Sequence, residues 1–199
     1  MYPIIGVIGR KSKSESGLET YTTYKDIVTS IIKSGGLPIG IFEKNFENYL
    51  NICDGFILQG GDNIDKDNIK IINILQEKNI PLLGICLGMQ EMAIANNGTI
   101  KDIKNHKNNN LHKIKIDKYS KLYKIIKKDK IMVNSRHKSA ITSTDLSIGS
   151  KSNDNIIEEV EDKNHKFFIG IEWHPENLYN KDKNAKKIFK YFIQTCKKH

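Results

Sequence analysis

Apolar residues run along this chain in two alternating rhythms. Short runs, "PIIGVIG" at 3–9, "LPIGIF" at 37–42, "GFILQGG" at 55–61 and "PLLGIC" at 81–86, have the length and bounding glycines of strands buried on both faces. Between them lie helical stripes. The first, "YTTYKDIVTSIIKSGG" from Tyr21, places Tyr21, Tyr24, Ile27, Val28, Ile31 and Ile32 on one face and stops at Gly35 and Gly36. A second is "NIKIINILQEKN", and a third runs from residue 87 to a stop at Gly98. This βαβ rhythm predicts a parallel sheet covered by helices on both faces.

From about residue 112 the runs shorten to "HKIKI", "KIMVNS", "NIIEEVE" and "FFIGIEW". A last helix, "NAKKIFKYFIQTC", aligns Ala185, Ile188, Phe189, Phe192 and Ile193. No internal repeat or linker is visible, and "NHKNNN" at 105–110 reads as a low-complexity loop. The expectation is one α/β domain over residues 1–199 with a more β-rich second half.

Composition removes several function classes. With 199 residues, 38% hydrophobic, the chain can bury a sizeable core without staples. No signal pattern or apolar run of membrane-spanning length is present, so the expected compartment is the cytoplasm, with no membrane partner. Cys53, Cys86 and Cys196 are far apart and odd in number, which fits reduced thiols rather than a disulfide framework or a CxxC metal site. The net charge of +9 is almost all lysine, with Arg10 and Arg136 as the arginines. Nucleic-acid readout favours clustered arginine with aromatics on one face, so no nucleic-acid partner is expected. The densest run, "KLYKIIKKDK" at 121–130, fits a solvated helix face.

In such a sheet, reactive groups collect where strands end at their carboxyl edge. Cys86 stands there in a Gly-x-Cys-x-Gly frame formed by Gly84, Ile85, Cys86, Leu87 and Gly88, the pattern of a strained elbow that lifts a nucleophile above the following helix. A helix N-terminus beneath a cysteine lowers its pKa. Taken alone, a lone cysteine is also a small apolar filler, and Cys53 and Cys196 are read that way. A thiol nucleophile needs a base and an orienter. "GIEWHPE" at 170–176 supplies His174 at a strand end, Pro175 to turn the chain, and Glu176 to hold the other ring nitrogen; a strand-edge histidine beside a surface glutamate is the plainer reading of this motif alone. "QGGD" offers backbone N–H groups for an oxyanion hole from Gly61 and Leu87, or a simple Gly-Gly turn. Arg10 could grip a substrate anion bidentately or lie on the surface. His106 and His112 are read as loop or strand-edge residues.

"GICLGMQ" followed far along the chain by "WHPE" resembles the class I glutamine amidotransferase family. The resemblance implies a flavodoxin-like α/β three-layer sandwich with a central, mostly parallel sheet, and a Cys86–His174–Glu176 triad. Within the family, "DGFILQGGD", "VNSRHKSAI" and "IIEEVEDKNHKFFIGIEWHPE" are similar to the free-standing γ-glutamyl hydrolases (peptidase C26), which cleave γ-glutamyl-GABA or folate polyglutamates. That branch implies an Asn-Ser-x-His segment at the pocket, here Asn134, Ser135, Arg136 and His137, with Gly60 and Gln90 at the γ-glutamyl group. It implies a thioester on Cys86, no metal or organic cofactor, a small-molecule γ-glutamyl substrate, and room for a homodimer. The chain departs from many of these hydrolases in being short, without the longer insertion between "QGGD" and the elbow. "GICLGMQ" is shared with the glutaminase subunit of imidazole glycerol phosphate synthase, whose Asp-Tyr-Gly start and Pro-Gly-Val-Gly strand are replaced here by "VIGRKS" and "LQGGD". The alternative is therefore a glutaminase subunit delivering ammonia to a synthase partner; a non-catalytic binding relative fits poorly with all three triad residues present.

Overall fold

The computed structural model describes residues 1–42, 46–103, 106 and 110–197. The loop expected at 105–110 falls outside these residues except for His106 and Asn110. In chain order the elements are β1 (Ile4–Ile8), β2 (Arg10–Lys13), β3 (Glu19–Thr22), α1 (Lys25–Lys33), β4 (Leu37–Ile41), α2 (Phe46–Leu50), β5 (Gly55–Leu58), α3 (Lys66–Glu77), β6 (Leu82–Ile85) and α4 (Leu87–Ala95). They continue with β7 (Thr99–Asp102), β8 (Asn110–Ile116), α5 (Lys121–Ile126), β9 (Lys130–Ser135), β10 (Ser139–Ser143), β11 (Ser147–Ser152), β12 (Ile157–Glu161), β13 (Phe168–Ile171), α6 (Pro175–Leu178) and α7 (Lys183–Cys196).

Nine of these strands form one sheet in the order β4-β1-β5-β6-β13-β12-β11-β8-β9. The first five run parallel, and the other four extend the sheet antiparallel from β13. The parallel half has the flavodoxin-like order, second-first-third-fourth-fifth. Because strand side chains alternate, Ile5, Val7, Ile57, Leu83, Ile85, Ile169 and Ile171 join one core with Ile27, Ile31 and the α7 stripe. Ile8, Phe56, Leu58, Leu82 and Phe168 join the other with Ile71, Ile72, Leu75, Met89 and Met92. The expected α/β sandwich is thus built by two apolar layers, one on each face.

The first helix is shorter than its apolar pattern predicts. Tyr21 lies in β3, paired with β2 as a hairpin whose turn uses Gly17 at φ 81°. The β-branched pair Thr20 and Thr22 favours the strand, and Tyr21 packs edge-on against Phe42 at 5.2 Å instead of joining the core. Tyr24 caps α1, its N–H donating to Gln59 Oε1 at 2.9 Å, and Ile32 faces outward. Likewise Asn97, not Gly98, takes the left-handed conformation after α4, at φ 56°, while the Gly98 N–H donates to Ala93 O at 2.8 Å. In the basic run at 121–130, Leu122, Ile125 and Ile126 are buried, so only part of that helix is solvated. No helix among the described residues is long and apolar enough to cross a membrane.

Candidate active site

Three adjacent parallel strands, β5, β6 and β13, bring the candidate residues to one edge. Cys86 follows β6 with φ 52° and ψ −110°, a conformation that L-residues avoid and that lifts the side chain above the sheet. Its N–H donates to Ile171 O at 2.8 Å, tying the elbow to β13. The flanking glycines are required by close approach: a Cβ on Gly88 would stand 2.3 Å from the Leu58 carbonyl oxygen, and one on Gly84 would stand 2.9 Å from the Gly88 carbonyl carbon.

His174 lies three residues past the end of β13, immediately before α6. Its Nδ1 and Glu176 Oε1 are 2.7 Å apart and both residues are buried, which leaves Nε2 as the nitrogen free of Glu176. Asn134 Oδ1 accepts the His174 backbone N–H at 3.0 Å. A Cβ on Gly60 would lie 3.1 Å from His174 Cε1 and 3.7 Å from Cys86 Cβ, so the three strand ends converge over that glycine. Leu87 is the first residue of α4, and its N–H has no carbonyl partner within the helix. Gly61 approaches it from the β5 side, where a Cβ would come within 2.9 Å of Leu87 Cδ2. Gly61 and Cys86 border the same cleft.

Arg10, expected either to grip a substrate anion or to lie on the surface, turns its guanidinium toward Glu91. Its guanidinium forms a two-pronged pair with Glu91 at 2.7 and 2.9 Å, and its Nε donates to the Gly60 carbonyl at 3.1 Å. Glu91 is fully buried and also accepts from the Asp65 N–H at 3.0 Å and from Asn68 Nδ2. A buried carboxylate with these partners consumes the arginine, which braces the Gln59–Gly61 segment from behind.

The N–H of Leu87 at the start of α4 lowers the Cys86 pKa as expected, but other influences outweigh it. Burial pushes the thiol well above its ordinary value, the Glu172 and Glu176 carboxylates add to this, and the Leu87 N–H and the Arg136 charge offset only part of it.

A cleft of about 390 Å³ opens over Cys86 and His174, lined also by Tyr24, Lys25, Asp26, Gly61, Asp62, Arg136, Glu176 and Asn177. Of the segment 134–137, Arg136 borders this space. A narrow side lobe is lined by Cys86, Gln90, His137 and Ser139. Gln90 is turned into the protein, with Nε2 donating to Glu172 Oε1 at 2.6 Å and Ser139 O at 3.1 Å. Asn134 positions His174, and Ser135 bonds to His106 O at 2.8 Å, so neither lines the cleft.

Several residues escaped the sequence reading. Gln59 is fully buried and bridges β1 to the hairpin, donating to Ile8 O at 2.9 Å and Thr22 O at 2.8 Å. Glu172 is fully buried, and burial followed by the Glu158 charge holds its carboxyl well above the usual range. A polar residue inside each apolar run, Gln59 in "GFILQGG" and Glu172 in "FFIGIEW", was the available signal.

Residues 65–176, more than half of the chain, match the family model described as Peptidase C26. The γ-glutamyl-γ-aminobutyrate hydrolase PuuD of Escherichia coli is 26% identical over 241 aligned positions, covering 99% of this chain and 94% of the hydrolase. A glutamine amidotransferase-like protein of Rickettsia prowazekii is 29% identical, covering 98% of both chains. Among solved structures, the glutaminase domain of a Trypanosoma brucei CTP synthase with bound acivicin superposes with a TM-score of 0.71 at 17% identity, covering 98% of this chain and 93% of that one. The fold is that of the class I glutamine amidotransferases, and by its family match the chain belongs to peptidase C26.

Proposed function

We propose that this protein is a cysteine-dependent γ-glutamyl hydrolase that releases glutamate from a γ-glutamyl amine or related conjugate. The observation that carries the reading is the buried 2.7 Å His174–Glu176 contact, with the ring poised beside the Cys86 elbow. Family membership and the similarity to the γ-glutamyl-GABA hydrolase support it.

The chemistry follows from the geometry. Attack on the γ-carbonyl is coupled to proton transfer from sulfur to His174 Nε2. Glu176 fixes the Nδ1–H tautomer and stabilises the imidazolium as it forms. The Leu87 and Gly61 N–H groups receive the developing oxyanion. His174 then protonates the departing amine, and water activated by the same ring cleaves the thioester to release glutamate. The cleft wall carries both signs, Lys25 and Arg136 against Asp26 and Asp62, which suits the zwitterionic head of a γ-glutamyl group.

The test is glutamate release by the purified protein from a panel of γ-glutamyl amides. The expected result is kcat/KM for some amide at least about tenfold above that for glutamine, roughly 1.4 kcal/mol of transition-state discrimination, because remote contacts to the amine contribute to the chemical step. Glutamine as best substrate, with strong stimulation by a second protein, would instead establish the ammonia-delivering subunit.

A further inference from the structure

We propose that His112, His137 and Glu158, closed by His106, form a binding site for a divalent cation of the zinc class. The four residues come from β8, the β9–β10 turn, β12 and the segment before β8, and meet behind the wall of the cleft. Candidate ligand atoms of His106, His112 and Glu158 all lie within 4.8 Å of one another. His112 Nε2 is 2.9 Å from Glu158 Oε1, His137 Nε2 is 3.9 Å from that oxygen, and His137 Nε2 is 3.1 Å from His106 Nδ1. A tetrahedral ion with bonds of about 2.0–2.1 Å holds its ligands about 3.3–3.4 Å apart, so these separations bracket what such an ion needs.

The outward-facing nitrogens point to the same use. His137 Nδ1 lies 3.0 Å from the Ser139 carbonyl and 3.2 Å from Glu172 Oε1, both acceptors, so this nitrogen carries the proton and the Nε2 lone pair faces the cluster. His106 Nε2 contacts Asp154 Oδ2 at 2.9 Å, which turns Nδ1 inward. Metal-ligating histidines characteristically hand their second N–H to a carbonyl or carboxylate in this way. Ser135 Oγ, 3.0 Å from His106 Nδ1, has one proton and also reaches the His106 carbonyl. Glu158 is fully buried and its Oε2 has no hydrogen-bond partner among the described residues. A proton shared between His106 and His137 would satisfy that pair alone, whereas a cation would also engage His112 and the buried Glu158 carboxylate. Three imidazoles and one carboxylate suit zinc, cobalt or nickel over magnesium or calcium, which prefer oxygen.

The site lies next to the reaction machinery without entering it. His137 and Glu172 are joined at 3.2 Å, Gln90 on the nucleophile helix bonds Glu172 at 2.6 Å, and Asn134 in the same segment as His137 holds His174. An ion there would clip β8, β12 and the 134–139 segment together.

The test is titration of EDTA-stripped Cys86→Ala protein with cobalt(II) and zinc(II), followed by visible spectroscopy and calorimetry; the substitution removes the thiol that would compete for metal. The expected result is about one ion per chain, tetrahedral cobalt bands displaced by zinc, and a melting temperature that rises with zinc. His112→Gln and, separately, His106→Gln should weaken binding at least about 100-fold, while His165→Gln, a histidine outside the cluster, should not. Each variant is checked for a cooperative melt before titration. No ion taken up by the folded Cys86→Ala protein overturns the proposal, as does uptake that both cluster variants leave unchanged; the first result alone decides if a variant does not fold.

Discussion

Asn134 holds His174 by its backbone: the side-chain Oδ1 accepts the histidine N–H at 3.0 Å where both residues are buried. The ring is therefore located from two directions, through Asn134 on the main chain and Glu176 on Nδ1. Asn134→Ala leaves a buried N–H without its partner and frees the loop before α6. The expected outcome is kcat reduced by about tenfold or more with a smaller change in KM, read from initial rates on the best γ-glutamyl amide.

Glu176→Gln keeps the shape of the contact and removes its charge. Turnover should fall by about 100-fold or more while the melting temperature moves little, because the amide neither stabilises imidazolium nor enforces the Nδ1–H tautomer. Undiminished turnover would show that another group orients the ring.

Because burial and the Glu172 and Glu176 carboxylates raise the Cys86 pKa, the thiolate is scarce at neutral pH and grows as pH rises. Inactivation of the free enzyme by iodoacetamide should accelerate steadily from about pH 6 to about pH 9. A rate already level below about pH 7 would mean that a stable thiolate–imidazolium pair forms without substrate.

The backbone at Cys86, φ 52° and ψ −110°, reverses a usual ranking. Glycine ordinarily destabilises relative to alanine, but this conformation strains alanine and suits glycine. Urea denaturation should find Cys86→Gly more stable than Cys86→Ala by about 1 kcal/mol, with neither variant active.

Arg10→Met separates bracing from substrate binding. It strands the buried Glu91 carboxylate, and the expected cost is about 3–5 kcal/mol in urea denaturation. Unchanged stability with a raised KM would return Arg10 to the substrate.

What was legible in the sequence was whatever local pattern alone decides. Strand and helix runs with one period each, such as "PLLGIC" and the α7 stripe, appear where expected because two apolar layers demand those faces. The elbow was legible because close packing at Gly84 and Gly88 leaves no room for a Cβ. What stayed hidden depends on contacts distant in sequence. Tyr21 looked helical by period, yet it pairs across the hairpin with Lys11 and packs edge-on against Phe42. Arg10 offered no clue that Glu91 lies opposite, and the thiol's environment is set first by burial and then by Glu172, which comes near only when β6 and β13 align. His106, read as a loop residue, is buried against His137 for the same reason.

The position of β13 in the sheet also sets when the site can come into being. It is the last strand in the described chain, yet it sits between β6 and β12 near the middle of the sheet. Until it arrives, β6 lacks one neighbour, the Cys86 N–H has no Ile171 carbonyl to receive it, and neither His174 nor Glu176 is near the elbow. Contacts this distant in sequence form late, after shorter loops have closed. During synthesis from the N-terminus α4 can assemble well before β13 is made, so a growing chain carries Cys86 on a half-built sheet, and the cleft is complete only when β13 slots into the waiting gap.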